Sequence, residues 1–84
     1  MATTRTLHHQ QTPEFRAAAE LLGEKVRRLR IERGWTVEEA SKHYQVQAHY
    51  VWVMERGTSN PSLAILVSVA KAFEMTVPEL LTPE

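Results

Sequence analysis

Between Thr36 and Gly57 this 84-residue chain carries two helices with almost no room between them. Thr36-Val37-Glu38-Glu39 has the form of a capping box. Thr36 stands at the N-cap and Glu39 three residues on, where each side chain satisfies a backbone N–H of the other. The helix it opens runs to about Tyr44. The stretch VQAHYVWVMERG over 46–57 then holds a further helix, from about Gln47 to Arg56, that stops at Gly57. Gln45 and Val46 are the only gap. Two helices joined so briefly must turn sharply, which is a helix-turn-helix geometry.

The rest of the chain is helical by the same signs. Thr12 caps a helix with Pro13 at its first position, and Phe15, Ala18, Leu22, Val26 and Leu29 recur every three or four residues until Gly34. This spacing predicts one long helix over about 13–33. Gly23 inside it weakens it by about 1 kcal/mol relative to alanine. Thr58-Ser59-Asn60-Pro61 reads as a loop. Ser62 caps a fourth helix carrying Leu63, Leu66, Val69, Ala70 and Phe73. Thr76-Val77-Pro78-Glu79 is a second capping box, opening a short fifth helix with Leu80 and Leu81. No strand pattern or repeat interrupts the series. The expected fold is all-α: a five-helix bundle over residues 12–84, preceded by a flexible arm over 1–11, MATTRTLHHQQ.

Composition narrows the chemistry. Cysteine is absent, so disulfides and thiolate metal sites are excluded. The pairs His8/His9 and His43/His49 lack a third ligand, so no metal is expected. The chain has no Asp, hence no Ser-His-Asp set, and it has no glycine-rich phosphate loop. Neither catalysis nor a cofactor is expected. No apolar run approaches the ~20 residues of a membrane span, and no apolar signal core opens the chain, so the expected setting is the cytoplasm.

Net charge is zero and the isoelectric point is about 6.9, which favours no partner. The distribution says more. Lys25, Arg27, Arg28, Arg30 and Arg33 crowd against Glu32 alone. They form either a solvated helix face or a patch turned toward phosphates.

The segments LGEKVRRLRIERGWTVEEA, VMERGTSNPSLAILVSVAKAF and VPELL stand in order over about residues 21–81. In this the chain resembles the lambda repressor and Cro-like helix-turn-helix domains, the XRE family. The most specific pieces are R-x-x-R-G-W-T-x-E-E at 30–39 and M-E-R-G-x-x-N-P-S at 54–62. The resemblance implies a buried ion pair between Arg30 and Glu55. It implies double-stranded DNA as partner, with the third helix in the major groove. Carried over by position, the DNA-facing residues are Gln47, Ala48, His49, Tyr50 and Val53. Val37 stands where a glutamine commonly bonds the phosphate backbone. Thr58, Ser59 and Asn60 follow the sugar-phosphate path, joined by Arg27 or Arg28.

The chain departs from the family at several of these places. Ala48 and Val53 cannot make two-point hydrogen bonds to bases; at best they meet a thymine methyl. Gln45 replaces the glycine of the turn, where the family uses a left-handed conformation. Ser41 and Ala40 replace a customary alanine and leucine. Residues 36–60 hold Lys42 and Arg56 against Glu38, Glu39 and Glu55, a balance of minus one.

Spacing turns Val51 and Met54 inward. Trp52 falls beside them and is left between two settings, burial against its own domain or a partner's surface. The fourth helix adds Ala64, Ile65, Val67 and Ala72 to its core stripe, so it is apolar nearly all round and more than one face is covered. A homodimer through Ile65 and its neighbours would provide that cover, and so would the long first helix. Two functions follow. The leading one is a sequence-specific DNA-binding transcriptional regulator, homodimeric on a paired site. The other is a degenerate helix-turn-helix module that holds a protein through Trp52 and the fourth helix.

Overall fold

The computed structural model describes residues 12–83. The expected flexible arm, 1–11, lies outside the described residues, as does Glu84. Five helices follow one another: α1 Pro13–Glu32, α2 Val37–Tyr44, α3 Ala48–Glu55, α4 Leu63–Ala72 and α5 Val77–Leu80. The architecture is all-α, as expected. The described residues contain no strand.

Four of the five starts carry a side-chain cap. Thr12 Oγ1 accepts from the Phe15 amide at 3.0 Å and Ser62 Oγ from the Ile65 amide at 3.1 Å. Thr36/Glu39 and Thr76/Glu79 close reciprocal capping boxes at 2.8–3.2 Å. Each such cap satisfies a donor the helix leaves open and contributes about 1 kcal/mol. α3 is the exception: Gln47 stands at its N-cap without a side-chain bond.

Helix ends share one device. Gly34, Gln45 and Glu74 adopt left-handed backbone, and the residue after each donates back to a carbonyl five positions earlier. These bonds run from Trp35 to Arg30, Val46 to Ser41 and Met75 to Ala70 at 2.9–3.1 Å. The apolar residues so placed, Trp35, Val46 and Met75, then pack on the core. At Gln45 (φ 61°, ψ 44°) this is the turn between α2 and α3, in the left-handed conformation expected there.

The core gathers Leu22, Val26 and Leu29 of α1, Ala40 and Tyr44 of α2, Val51 and Met54 of α3, Val69 and Ala70 of α4, then Phe73 and Leu80. The expected stripes are off at four places. Phe15 is only half-buried, Ala19 rather than Ala18 is buried, Leu81 is exposed, and Leu63 of α4 is exposed as well. Trp35 stacks on Phe73 and on His43, whose ring centroid is 3.9 Å away, so His43 belongs to an aromatic cluster.

α3 packs against α1 on one side and α2 on the other, while α4 packs on α2 and α5. The α1–α3 crossing is very close at Gly23. A Cβ there would lie 2.5 Å from the Met54 carbonyl oxygen and 3.0 Å from the Gly57 nitrogen. The residue that costs helix propensity is the one that admits the backbone of the neighbouring helix.

Candidate nucleic-acid interface

Two anchors fix α3. Val51 and Met54 are fully buried, worth roughly 1.5–3 kcal/mol each by removal from water. At its C-terminal end, Glu55 meets Arg30 of α1 in a two-point pair, Nε–Oε2 at 2.6 Å and Nη2–Oε1 at 3.1 Å. The third guanidinium nitrogen donates to the Trp35 carbonyl at 2.8 Å. The two side chains keep only 14% and 10% of their exposure. The bond to Glu55 raises the Arg30 pKa, with burial opposing. The expected ion pair is therefore present, and it ties α3 to α1 and to the loop before α2.

With those residues inward, 3.6-residue periodicity turns two rows outward. One holds Ala48, Trp52 and, just past the helix, Arg56. The other holds His49 and Val53. Gln47, His49, Trp52 and Arg56 are exposed, while Ala48 and Val53 are half-buried. Tyr50 differs from the rest: it is half-buried and packs on the core. Partial burial raises its phenol pKa, against a smaller opposing effect of the adjacent Ser59 hydroxyl.

Ser59 departs from expectation. It retains 2% exposure, and its Oγ is buried near the Tyr50 phenol without a well-formed bond. A side chain so placed does not reach a sugar-phosphate path; only its backbone can. Thr58 is exposed, but its hydroxyl donates to the Val53 carbonyl at 3.3 Å. Asn60 is exposed. Val37, first residue of α2, is half-buried and packs on the core, so an approaching anion would meet the backbone N–H groups of that helix start.

Trp52 keeps 58% of its exposure, so it is not buried in its own domain. It borders a cleft of about 250 Å³ lined by Arg27, Arg30, Val37, Trp52, Glu55 and Arg56. Arg56, four residues on, is on the same row as Trp52 by spacing, whereas Arg27 was not singled out with Trp52 from sequence.

The basic cluster of α1 proves mostly structural. Lys25 Nζ donates to the carbonyls of Glu79 and Thr82 at 2.6 and 2.7 Å, tying down the end of α5. Arg28 pairs with Glu32 at 2.9 Å, and Arg33 donates to the Phe73 carbonyl while lying over the Trp35 and Phe73 rings. Arg30 is held by Glu55. Arg27, Lys42 and Arg56 are exposed, and their side chains make no hydrogen bond or ion pair among the described residues. Since Glu55 is neutralised by Arg30, the surface around α3 is close to neutral rather than acidic.

On α4, Ile65 is not the outward residue expected. It lies on the same face as buried Val69, one turn on, and is half-buried against the core. Leu63 and Val67, at 70% and 44% exposure, form the outward apolar row instead.

Residues 21–82 match the family model described as a helix-turn-helix domain. The HTH-type transcriptional regulator DdrOP3 of Deinococcus deserti is 40% identical over 60 residues, covering 71% of this chain and 46% of that protein. This chain thus spans under half the length of that relative. The uncharacterized HTH-type transcriptional regulator y4dJ of Sinorhizobium fredii is 36% identical over 63 residues, covering 75% of this chain and 82% of that protein. Among solved structures, the clp gene regulator ClgR from Corynebacterium glutamicum superposes with a TM-score of 0.70 at 31% identity, covering 76% of this chain and 68% of that one. The restriction-modification controller protein C.AhdI from Aeromonas hydrophila gives 0.70 at 30% identity, covering 76% and 97%. These relatives are regulators, not enzymes. By the match over 21–82, the sharp α2–α3 turn and the Arg30–Glu55 pair, the chain belongs to the helix-turn-helix domain family, in its lambda repressor-like form.

Proposed function

We propose that the chain is a sequence-specific DNA-binding transcriptional regulator that lays α3 in the major groove. The observation that carries this reading is the mounting of α3: rigidly held at its C-terminal end, while Gln47, Ala48, His49 and Val53 stand along its open side. Gln47 offers an amide with the geometry for adenine, and His49 a donor or acceptor for a base edge or phosphate. Thr58, Asn60, the Ser59 backbone and the start of α2 at Val37 follow the sugar-phosphate path. Tyr50 supports the reading helix from beneath and contacts DNA only at its rim. The regulator would act in the cytoplasm as a homodimer, the Leu63/Val67 row meeting its copy and setting two reading helices about one DNA turn, ~34 Å, apart.

The test mixes the protein with random duplexes at low salt and sequences what is retained. A preferred sequence is expected, lost on the double change Gln47→Ala/His49→Ala with helicity unchanged, since both residues are exposed. The three exposed cations offered to the duplex, Arg27, Lys42 and Arg56, whose side chains are unpaired among the described residues, set a salt slope of roughly −3 per protomer. Retained preference in that double variant refutes the assignment of readers. A second reading rests on Trp52: at 58% exposure over a cleft, it suits a protein partner. Trp52→Ala would then abolish capture of that partner while DNA binding, if any, persisted.

A further inference from the structure

The open side of α3 has an unusual chemistry for a reading helix. Among residues 47–55 there is no lysine or arginine, and the only charge, Glu55, is locked to Arg30. The exposed cations offered beside it stand on other elements: Arg27 on α1, Lys42 on α2 and Arg56 beyond the last turn. The commonest specific contact in the major groove, a basic side chain on guanine O6 and N7, therefore has no donor on this helix. What α3 does present is carbon. Its buried row is Val51 and Met54, yet Ala48 and Val53 carry methyl groups on the outward rows too, one turn apart from Trp52 and His49 respectively.

We infer that α3 reads DNA through the C5 methyl groups of pyrimidines, with Val53 and Ala48 as the specificity-determining contacts and Gln47 supplying hydrogen-bonded readout beside them. The inference rests on the DNA-binding reading above. In the major groove the base edges display hydrogen-bonding atoms, and the 5-position of pyrimidines adds a carbon site that differs between bases. There thymine carries a methyl group and cytosine carries hydrogen. An alanine or valine methyl gains nothing against an oxygen or amino edge and strands it from water. Against a methyl it removes apolar surface on both sides. Thymine presents this group in unmodified DNA, and 5-methylcytosine presents the same group at a G·C pair.

The full chain and its best duplex from the random pool provide the test. Each thymine is replaced in turn by deoxyuridine, which deletes only the methyl group, and affinity is followed by fluorescence anisotropy. We expect a three- to five-fold loss at one or more positions in each half-site, the effect of uncovering about one buried methyl. In Val53→Ala, one of these penalties should shrink toward unity while the others remain, because the coupling between side chain and methyl is gone. Since Val53 is only half-buried and alanine is a good helix former, this variant should fold, and the DNA substitutions need no change in the protein. Replacing a sensitive T·A pair by C·G and then by 5-methylC·G separates the sources. Recovery identifies the methyl alone as the ligand, and no recovery confines the contact to thymine.

Uridine substitution without effect at every position, in a duplex still bound with sequence preference, overturns the inference and leaves the regulator standing. Retention of no duplex at any salt removes the DNA-binding reading and this inference with it.

Discussion

Gly23→Ala is the sharpest test of how α3 is held. Helix propensity alone makes this change stabilising by about 1 kcal/mol, because glycine in a helix interior loses more backbone freedom than alanine. The α1–α3 crossing reverses the sign. The added Cβ would sit 2.5 Å from the Met54 carbonyl oxygen, whereas ordinary contact begins near 3.4 Å, so about 0.9 Å must be found. The obstructing atom is backbone, and so is the Gly57 nitrogen at 3.0 Å; no flexible side-chain end can swing aside. Relief requires α1 and α3 to move apart beside the buried Val51 and Met54. Overpacking costs about 1–3 kcal/mol, and a backbone clash belongs at the upper end. The net loss is then roughly 2 kcal/mol, which in a domain of this size lowers the melting temperature by roughly 8–16 °C. Urea titration followed by tryptophan fluorescence should show an earlier midpoint with an unchanged slope. A Gly23→Ala protein as stable as the parent, or more so, would refute the close crossing.

Two further changes probe the interior. Glu55→Ala strands the Arg30 guanidinium in a nearly closed site and should cost roughly 3 kcal/mol, while Arg30→Met combined with Glu55→Leu should recover most of that loss in the same urea titration. Tyr44 is fully buried with its hydroxyl unpartnered among the described residues, so Tyr44→Phe should stabilise by up to about 1 kcal/mol. Burial also raises the Tyr44 phenol pKa above its ordinary value of about 10. The native state then keeps its proton where the unfolded chain releases it. Stability is complete below about pH 10 and falls as pH climbs past that value, and the Tyr44→Phe protein should lack this alkaline slope.

The helix starts were legible because their signals are local. Thr12, Thr36, Ser62 and Thr76 each act on an amide three residues away, and every one of these caps is formed. The inward setting of Val51 and Met54 was legible from spacing, whereas the Arg30–Glu55 pair came only with the family resemblance. What escaped was long-range or depended on shape. Lys25 meets carbonyls 54 and 57 residues away, so nothing near it in sequence marks it as a tether. Gly23 looked like a weakness because its compensation is the backbone of another helix. Ser59 sits in a polar loop, and its burial beside Tyr50 depends on packing that local sequence does not mark. Ile65 and Val67 are equally apolar, and the choice between them follows from which side of α4 meets α2 and α5. At Glu74 a glutamate adopts left-handed backbone that composition does not announce.

The missing cap at Gln47 changes meaning when set beside the tether at Glu55. α3 is clamped at its root by Glu55, while no side chain caps the amides of its first turn. Gln47 and His49 are exposed, so their side chains can settle onto a groove while Val46 and Val51 beside them stay packed. A cap at position 47 would stiffen that end, and the same side chain would then be occupied by its own backbone when the groove arrives.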